Sequence, residues 1–236
     1  MKKLLLIALL LWGAGNLYAQ KKTIEKTLDV PASKKVHLNL KFGNDVKVTA
    51  WDKKDAYVKV TYEINGGQLN QALLVTFDPG KDQLKVIADL DEKLLKNSTY
   101  EGDCPGGATT SFGNYSNGKM KNGVCTRIDY EIFLPRETNL TLETINGDIE
   151  LRGLTGTVNA KSISGFVDMD WSTQKGANVA LKTITGEVYS DLSLDLPEKK
   201  QETPMVGYQL KGKVNNGGPA IQLETISNNI YFRKKK

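Results

Sequence analysis

The sequence predicts an all-β fold in which short strands stack in successive circuits of the chain, each of which we call a rung. Three observations carry this prediction: a motif recurs every 18 to 21 residues, its apolar and polar residues alternate, and a glycine or asparagine follows at a fixed place. The copies of the motif occupy residues 140–151, 158–169, 179–190 and 221–232. The last step is twice the length of the one before, so it represents either two rungs or one rung with an insertion.

Apolar residues within the motif indicate which side chains face the core. The four copies align on Ile145, Ile163, Ile184 and Ile226. In the first copy, Ile149 follows Ile145 at the even spacing of a strand, whereas Leu142 precedes it at an odd spacing. A straight strand cannot reverse its inward parity in this way. We therefore expect a bend near Glu143 and Thr144, with the four isoleucines stacked inside.

Small residues mark the predicted corner of each rung. Two residues after the isoleucines stand Gly147, Gly165, Gly186 and Asn228. Glycine and asparagine tolerate positive φ, so one left-handed corner conformation would explain all four. Exposed columns should run beside the corner, with Glu143 over Lys161 and a ladder of hydroxyl groups. The ladder consists of Thr144, Ser162, Thr183 and Thr225. Such cross-strand pairs fix the register of stacked strands.

The remaining chain carries weaker forms of the strand pattern. Residues 36–48 alternate in the same way, with Gly43 and Asn44 at the corner. Strand-like runs follow at residues 56–64, 73–77, 84–88 and 128–134, and residues 91–97 suggest a short helix. Residues 191–219 break the pattern with prolines and asparagines. We read them as an excursion that contains one strand at residues 208–214.

The N-terminus has the pattern of a secretory signal peptide. Two lysines precede an apolar run at residues 4–12, and small and polar residues end at Ala19 and Gln20. A span of the bilayer needs about 20 apolar residues, so this run predicts cleavage rather than anchoring. Cleavage after Ala19 would leave residues 20–236 as one domain without a membrane span. The net charge of +5 owes much to the tail at residues 233–236, which we expect to be solvated.

Two cysteines, Cys104 and Cys125, fit an exported protein with one disulfide. The residues between them are rich in glycine, asparagine and serine, so they cannot build a core of their own. We therefore predict a loop insertion at residues 97–125 that the disulfide closes. Closing a loop of about 20 residues stabilises the folded state by about 3 kcal/mol in the chain-entropy model.

The segment at residues 130–151 carries a resemblance to a known family. A strand ends in Leu134-Pro135, a polar turn follows, and a leucine strand leads into Gly147-Asp148-Ile149. This resembles the exported putative-adhesin family of unknown function, which are β-solenoid proteins of bacterial envelopes. The resemblance extends from about residue 28 to the C-terminus. It implies a right-handed parallel β-helix or solenoid with an irregular N-terminal half, an extracytoplasmic location, and no catalytic residue to transfer.

The end of the signal peptide also bears on the compartment of the protein. The residues Tyr18-Ala19-Gln20 are similar to signal-peptide ends of Bacteroidetes. A Gram-negative host of this kind would place the protein in the periplasm, on the cell surface or in the medium.

Residues with catalytic chemistry are sparse. The only histidine, His37, lies at a predicted outward position, which leaves a Ser-His-Asp triad or a four-ligand zinc site without support. Carboxylates are the stronger enzyme hypothesis, since Asp148 and Glu187 should share a corner position two rungs, or about 10 Å, apart. Inverting glycosidases hold their acids about 6.5–9.5 Å apart. We expect no metal or cofactor, although oxygen ligands at Asn44–Asp45 or Asn146–Asp148 leave calcium open.

Aromatic residues offer a candidate binding surface. An outward column five residues after the isoleucines consists of Glu150, Asp168, Tyr231 and Tyr189. Tyr189 and Tyr231, together with Trp171 in a loop-like context, are the residues that we single out for binding. The alternative, that these aromatics cap the stack or fill its corners, stays open.

These observations favour a non-enzymatic exported protein that binds an envelope protein or a surface glycan, and not nucleic acid. A long stack offers an extended face for partners. Two alternatives remain: a carbohydrate-active β-helix enzyme that uses carboxylates, and an envelope-stress accessory protein that binds a periplasmic partner.

Overall fold

The computed structural model describes residues 21–96, 98, 104, 109–116, 119–196, 207 and 209–235, while the side chains of residues 109–116 and 119–122 stay outside the description. The predicted signal peptide, residues 1–19, lies outside the described residues. The described chain forms seventeen strands, a 3₁₀ turn at Asn70–Ala72 and helix α1 at Glu92–Lys96. The strands are β1 (Lys22–Asp29), β2 (Lys35–Leu40), β3 (Asp45–Trp51), β4 (Asp55–Ile64), β5 (Leu73–Pro79), β6 (Leu84–Leu90), β7 (Thr109–Ser116), β8 (Lys119–Pro135), β9 (Asn139–Glu143), β10 (Asp148–Arg152), β11 (Val158–Lys161), β12 (Val167–Trp171), β13 (Ala177–Lys182), β14 (Val188–Ser190), β15 (Gln209–Val214), β16 (Ala220–Glu224) and β17 (Ile230–Lys234).

The strands form two mixed, mostly parallel sheets. Sheet A has the order β1-β4-β8-β3-β10-β12-β17-β14, with β7 paired to β8. Sheet B has the order β15-β13-β16-β11-β9-β2-β6-β5. Each copy of the motif places its first strand in sheet B and its second in sheet A. Equivalent residues pair across neighbouring copies, for example Leu140 with Val158 and Ile149 with Val167. The predicted all-β class and parallel pairing of the repeat are therefore confirmed.

The order of the rungs in space differs from their order in the sequence. The last copy, β16 and β17, lies between β11–β12 and β13–β14 instead of at the end of the stack. The long step before it is thus one rung with an insertion. Part of that insertion, β15, pairs antiparallel with β13 and ends sheet B. It corresponds to the strand that was predicted inside the excursion. Residues 197–206 of the excursion lie outside the described residues.

The bend of each rung lies one or two residues later than predicted. In the first motif copy β9 ends at Glu143 and β10 begins at Asp148, with the bend at residues 145–146. The threonine before the isoleucine is buried, and the isoleucine faces outward. Ile163 and Ile184 are each 38% exposed. The prediction that the isoleucines stack inside is therefore wrong, because the parity changes after Thr144 and not before it.

The hydroxyl ladder is an internal feature of the corner and not an exposed column. Ser162 is fully buried, donates its hydroxyl to the Gly147 carbonyl at 2.9 Å, and accepts the Gly165 amide at 2.9 Å. Thr225 donates in the same way to the Gly165 carbonyl at 2.7 Å. The hydroxyl groups thus link consecutive corners and satisfy backbone groups that the bend removes from the sheets.

Close approach of the chain, and not positive φ, requires glycine at two of the corners. Residues with positive φ in the described chain do not include Gly147, Gly165, Gly186 or Asn228, so the left-handed corner is wrong. A Cβ added to Gly165 would lie 2.0 Å from the Gly147 carbonyl oxygen, and one on Gly186 would lie 2.0 Å from that of Asn228. Stacked backbones leave no room for a side chain there.

The N-terminal half is antiparallel where the repeat is weak. Strand β1 pairs with β4 and was not predicted, because Leu28 is its only fully buried residue and its hydrophobic pattern is faint. The disulfide between Cys104 and Cys125 forms as predicted. Part of the predicted loop at residues 97–125 is instead strand, since β7 pairs with the first part of β8.

The core lies between the two sheets as one cluster of apolar side chains. Leu38 and Leu142 enter it from sheet B, and Val48 and Leu151 enter it from sheet A, all fully buried. Alternating residues of the same strands point to solvent, so each sheet presents one outer face. Among the described residues, no helix has the length and apolar character needed to cross a membrane.

Candidate functional site

Among the described side chains, six aromatic rings lie in two groups on the outer face of sheet A, which we call the A face. The first group is Trp51, Tyr57 and Phe133; the second is Phe166, Tyr189 and Tyr231. Strand register places charged residues in a row between the groups, on neighbouring strands. This row consists of Lys59, Glu131, Lys47, Glu150 and Asp168. The A face therefore combines ring surfaces with fixed charges.

The second aromatic group contains two of the residues selected from sequence. The rings of Tyr189 and Tyr231 stack with centroids 5.3 Å apart and planes 11° apart. Phe166 meets Tyr231 edge-on at 6.1 Å, and the Arg233 guanidinium lies 5.6 Å from the centre of the Tyr231 ring. Tyr189 is 46% exposed. Its hydroxyl donates to Glu187, which raises the pKa of the Tyr189 phenol.

The third selected residue, Trp171, does not belong to a binding surface. Its side chain is 1% exposed, and its indole N–H donates to the Lys175 carbonyl at 3.1 Å inside the core. The parity of β12 turns it inward together with Met169. Its context resembled a loop only because Ser172 and the turn after it follow directly.

Ion pairs hold the centre of the A face. Asp168 is 4% exposed because two arginines cover it: Arg152 approaches its carboxylate at 2.7 Å, and Arg233 donates from Nε at 2.9 Å. Arg152 also pairs with Glu150 at 3.1 Å. A carboxylate that is held by two guanidinium groups is a fixed acceptor and is not free to act as an acid or base.

The first aromatic group lies at the other side of the A face. The Trp51 ring stacks on Phe133 with centroids 5.4 Å apart, and Tyr57 lies 6.1 Å from Phe133. The Trp51 indole N–H donates to the Asp55 carbonyl at 2.9 Å, which fixes the ring. The Lys53 ammonium lies 4.5 Å from the ring centre. Trp51 was not among the residues selected from the sequence.

A depression of about 450 Å³ adjoins Trp51. Its walls come from three segments: residues 30–34, residues 52–54 and the turn after β8 at residues 135–137. The polar turn that carries the family resemblance thus forms part of this depression. Two ion pairs brace it: Arg136 with Asp52 at 2.6 Å, and Lys34 with Glu137.

The carboxylate pair predicted from sequence is not assembled. Asp148 and Glu187 are separated by three strand intervals instead of two, because β12 and β17 both lie between β10 and β14. The register instead aligns Asp129, Asp45 and Asp148 on three neighbouring strands. Among the described residues, no group of three or more His, Cys, Asp or Glu could hold a metal ion.

The Asp148 carboxyl should respond to pH in a predictable direction. Burial raises its pKa, and repulsion from Asp45 and Glu150 adds to the effect, although its oxygen accepts the Phe166 amide at 2.9 Å. A raised pKa means that the folded state binds the proton more tightly than the unfolded state. Ionisation of Asp148 therefore lowers the free energy of unfolding as the pH rises from 3.8, the ordinary pKa, through the raised pKa of the folded state.

We expect Asp148→Asn to increase the free energy of unfolding at pH 7, with the gain disappearing below pH 3.8. The amide oxygen can keep the acceptor role, since Asn229 accepts the Glu187 amide at the equivalent place, also at 2.9 Å. Urea unfolding at several pH values measures this. A variant that is less stable at every pH would contradict the prediction.

The outer face of sheet B has a different character. His37 points outward there as predicted, beside Lys85 and Thr141 on the neighbouring strands, and its Nε2 is buried without a hydrogen-bond partner. The outward strand positions that the structure describes on this sheet carry no Phe, Tyr or Trp. These positions carry mainly lysine, asparagine, threonine and acidic side chains, together with the exposed apolar side chains Leu74 and Ile87 on β5 and β6.

Comparison with known proteins gives a likeness at the level of fold. No protein-family model matches the sequence, and no curated protein matches it. A crystal structure of a putative cell adhesion protein from Clostridium sporogenes matches with a TM-score of 0.56 at 15% identity, covering 92% of this chain and 100% of that one. A putative adhesin from Bacteroides fragilis matches with a TM-score of 0.32 at 10% identity, covering 92% and 98%.

These findings define the class of the protein. It is a mostly β protein of two mixed sheets with one disulfide, and it shares its fold with a protein described as a cell adhesion protein. The resemblance that the sequence predicted is confirmed at the level of fold by the first of these matches.

Proposed function

We propose that this chain is an exported, non-enzymatic binding protein of the bacterial envelope, adhesin-like in role, and that it binds its partner through the A face. The observation that carries the proposal is the distribution of rings: both aromatic groups lie on one outer face, whereas the described outward strand positions of sheet B carry no Phe, Tyr or Trp. Aromatic side chains dominate the energetics of binding surfaces because they desolvate large areas at small entropic cost.

The fold supports this role physically. We propose that the two sheets are the walls of a right-handed β-solenoid whose last rung is inserted one place early. Each rung adds about 4.8 Å of flat outer surface, so the A face extends over some eight strands. The disulfide supports an oxidising compartment, and the pattern at residues 1–19 supports export. Within the envelope, the periplasm, the cell surface and the medium are all compatible with these features.

Site-directed crosslinking in intact cells tests the proposal. A photo-crosslinking amino acid in place of Thr49 would sit on the A face beside Phe133 and Arg152. The same amino acid in place of Thr141, at an outward, half-buried position in the middle of sheet B, is the matched control. We expect covalent adducts from position 49 and few or none from position 141.

The identity of the adduct separates the hypotheses. A glycan-bearing adduct favours adhesion, and a periplasmic signalling protein favours an envelope-stress accessory role. Adducts from position 141 alone would contradict the choice of the A face, and their absence from both positions would contradict a binding role for either outer face.

A carbohydrate-active enzyme remains the second candidate, and the row formed by Asp129, Asp45 and Asp148 is the observation in its favour. The Oδ1 atom of Asp129 is buried without a hydrogen-bond partner, which leaves one acceptor in the row unused. A fall in the viscosity of a polysaccharide solution on addition of the purified protein would support this candidate over the non-enzymatic one.

A further inference from the structure

The edge of the molecule beside the first aromatic group carries an excess of positive charge. Turns meet there at residues 30–34, 52–54 and 135–137. Four basic side chains line the depression at this edge: Lys34, Lys53, Lys54 and Arg136. Two acidic side chains accompany them, Asp52 and Glu137. We call this surface the basic edge.

Neighbouring cations lower the pKa of both acids. Hydrogen bonding to Arg136 lowers the pKa of Asp52, and the charge of Lys235 lowers it further. Hydrogen bonding to Lys34 lowers the pKa of Glu137, with Lys175 acting in the same direction. Both acids are therefore ionised and already paired. They leave the remaining cations of the edge uncompensated.

Two of these cations border the Trp51 depression and are free to meet a ligand. Lys53 contacts no carboxylate in the described chain and instead lies 4.5 Å from the centre of the Trp51 ring. Lys54 forms no ion pair with any described residue. Both side chains are exposed. Ammonium groups at this place would attract an anion to the rim of the depression.

Trp51 is a fixed wall of the same depression. Its ring stacks on Phe133 with centroids 5.4 Å and planes 30° apart, and its N–H is occupied by the Asp55 carbonyl. A preformed depression in which a few convergent polar groups surround an apolar wall is the usual form of a small-ligand site. The volume of about 450 Å³ is within the range of such sites.

We propose that the Trp51 depression binds one sugar unit of an acidic polysaccharide, with the sugar ring against Trp51 and its carboxylate or sulfate group at Lys53 and Lys54. This inference deepens the proposed function, on which it rests, because it assigns the class of ligand to one part of the A face. The positive charge of Lys53 and Lys54 attracts the anionic group of the ligand. The fixed Trp51 ring favours a sugar with a flat apolar face beside that group.

A membrane surface fits the same charge less well. Proteins that anchor at the interface project aromatic and aliphatic side chains into the lipid. Trp51 instead is held by stacking on Phe133 and by its hydrogen bond to the Asp55 carbonyl. Besides Trp51, the depression is lined by charged side chains, two prolines and Ala32, with Val30 as its one branched aliphatic side chain.

Binding of the purified protein to defined polymers tests the inference. The probes are polygalacturonate, which is carboxylated, chondroitin sulfate, which is carboxylated and sulfated, and dextran, which is neutral. We expect binding to at least one acidic polymer and none to dextran. Trp51→Ala should weaken the affinity roughly tenfold, since tryptophan is among the commonest hot-spot residues of recognition. Salt should weaken the binding of the unmodified protein.

The double variant Lys53→Gln with Lys54→Gln changes exposed residues only, so it tests the site without risk to the fold. Lys211→Gln with Lys213→Gln is its match on β15 in sheet B, with the same change of net charge and the same exposure. We expect the first double variant to lose roughly tenfold in affinity and the second to lose less than about twofold. Circular dichroism confirms that each variant is folded.

Several outcomes would overturn the inference. Equal losses of affinity in the two double variants would show that the binding depends only on general charge attraction. An unchanged affinity in Trp51→Ala would remove the ring from the site. Binding to phosphatidylglycerol vesicles but not to the polymers, with the same dependence on Trp51, would identify a membrane ligand. If no polymer binds while position 49 still forms adducts in cells, the inference fails and the proposed function stands.

Discussion

Gly165→Ala should lower the free energy of unfolding by about 3 kcal/mol or more, beyond the usual range for a single added methyl group. The added Cβ would lie 2.0 Å from the Gly147 carbonyl oxygen and 2.8 Å from the Asp148 nitrogen. Both atoms belong to the backbone of the neighbouring rung, so no change of rotamer relieves the overlap. The two rungs would have to separate, which also strains the hydrogen bonds of Ser162.

Gly147→Ala is the matched control, because Gly147 has the same place in the neighbouring rung. There the Cβ would meet side-chain atoms of Thr144 and Val46, each at 3.1 Å. Side chains can move by a few tenths of an ångström, so we expect a cost on the order of 1 kcal/mol. Denaturant unfolding of both variants measures the difference. Equal costs would show that close stacking of the corners is not what requires glycine at position 165.

Trp171→Ala should cost about 3–5 kcal/mol, the usual range for removing a large aromatic side chain from a core. Trp171 is among the largest fully buried side chains, and its loss would leave a cavity and an unpaired Lys175 carbonyl. For a chain of this size each kcal/mol corresponds to about 2–4 °C in Tm, so thermal unfolding should show a large shift.

Tyr189→Ala is the comparison that separates packing from binding. Tyr189 is 46% exposed and stacks on one neighbour, so we expect a change in stability of less than about 1 kcal/mol. If the A face binds, this variant should lose affinity for the partner while Trp171→Ala loses stability. A stable Trp171→Ala protein with lost binding would restore the surface role that the sequence suggested for Trp171.

Strands with strong alternation were predictable from sequence because burial on one face imposes a period of two. The predicted runs at residues 56–64 and 84–88 lie within β4 and β6. The position of the corner was harder. A buried threonine and an exposed isoleucine exchange their usual places there, because the bend needs a hydroxyl to satisfy backbone groups. Hydrophobicity alone favours the opposite assignment.

Charged residues in the sequence indicate the order in which the rungs stack. In sequence order, Lys161 and Lys182 would be neighbours in the column beside the corner. In the structure Glu224 lies between them, at 3.6 Å from Lys161 and 3.8 Å from Lys182. With Glu143 paired in register to Lys161, the charges alternate along the whole column. Such exposed pairs contribute little to stability, but they distinguish the two orders.

The candidate site divides in the same way. Tyr189 and Tyr231 were predictable as one column because both stand at the same distance from the aligned isoleucine. The Trp51 group was not predictable, since Trp51, Tyr57 and Phe133 come from three strands whose pairing is set by the irregular N-terminal half. No repeat aligns these strands, so only their register in sheet A brings the rings together.

The sequence by itself determined the strands with strong alternation, the repeat and its parallel register, because each follows from periodic burial along a short stretch of chain. Tertiary structure alone decided which rung lies beside which, and therefore which charges and rings share a surface. The physical reason is that every rung presents nearly the same apolar edge to its neighbours. The local sequence pattern cannot distinguish between the possible orders of the rungs. That order is set by side chains that come into contact only after the chain has folded.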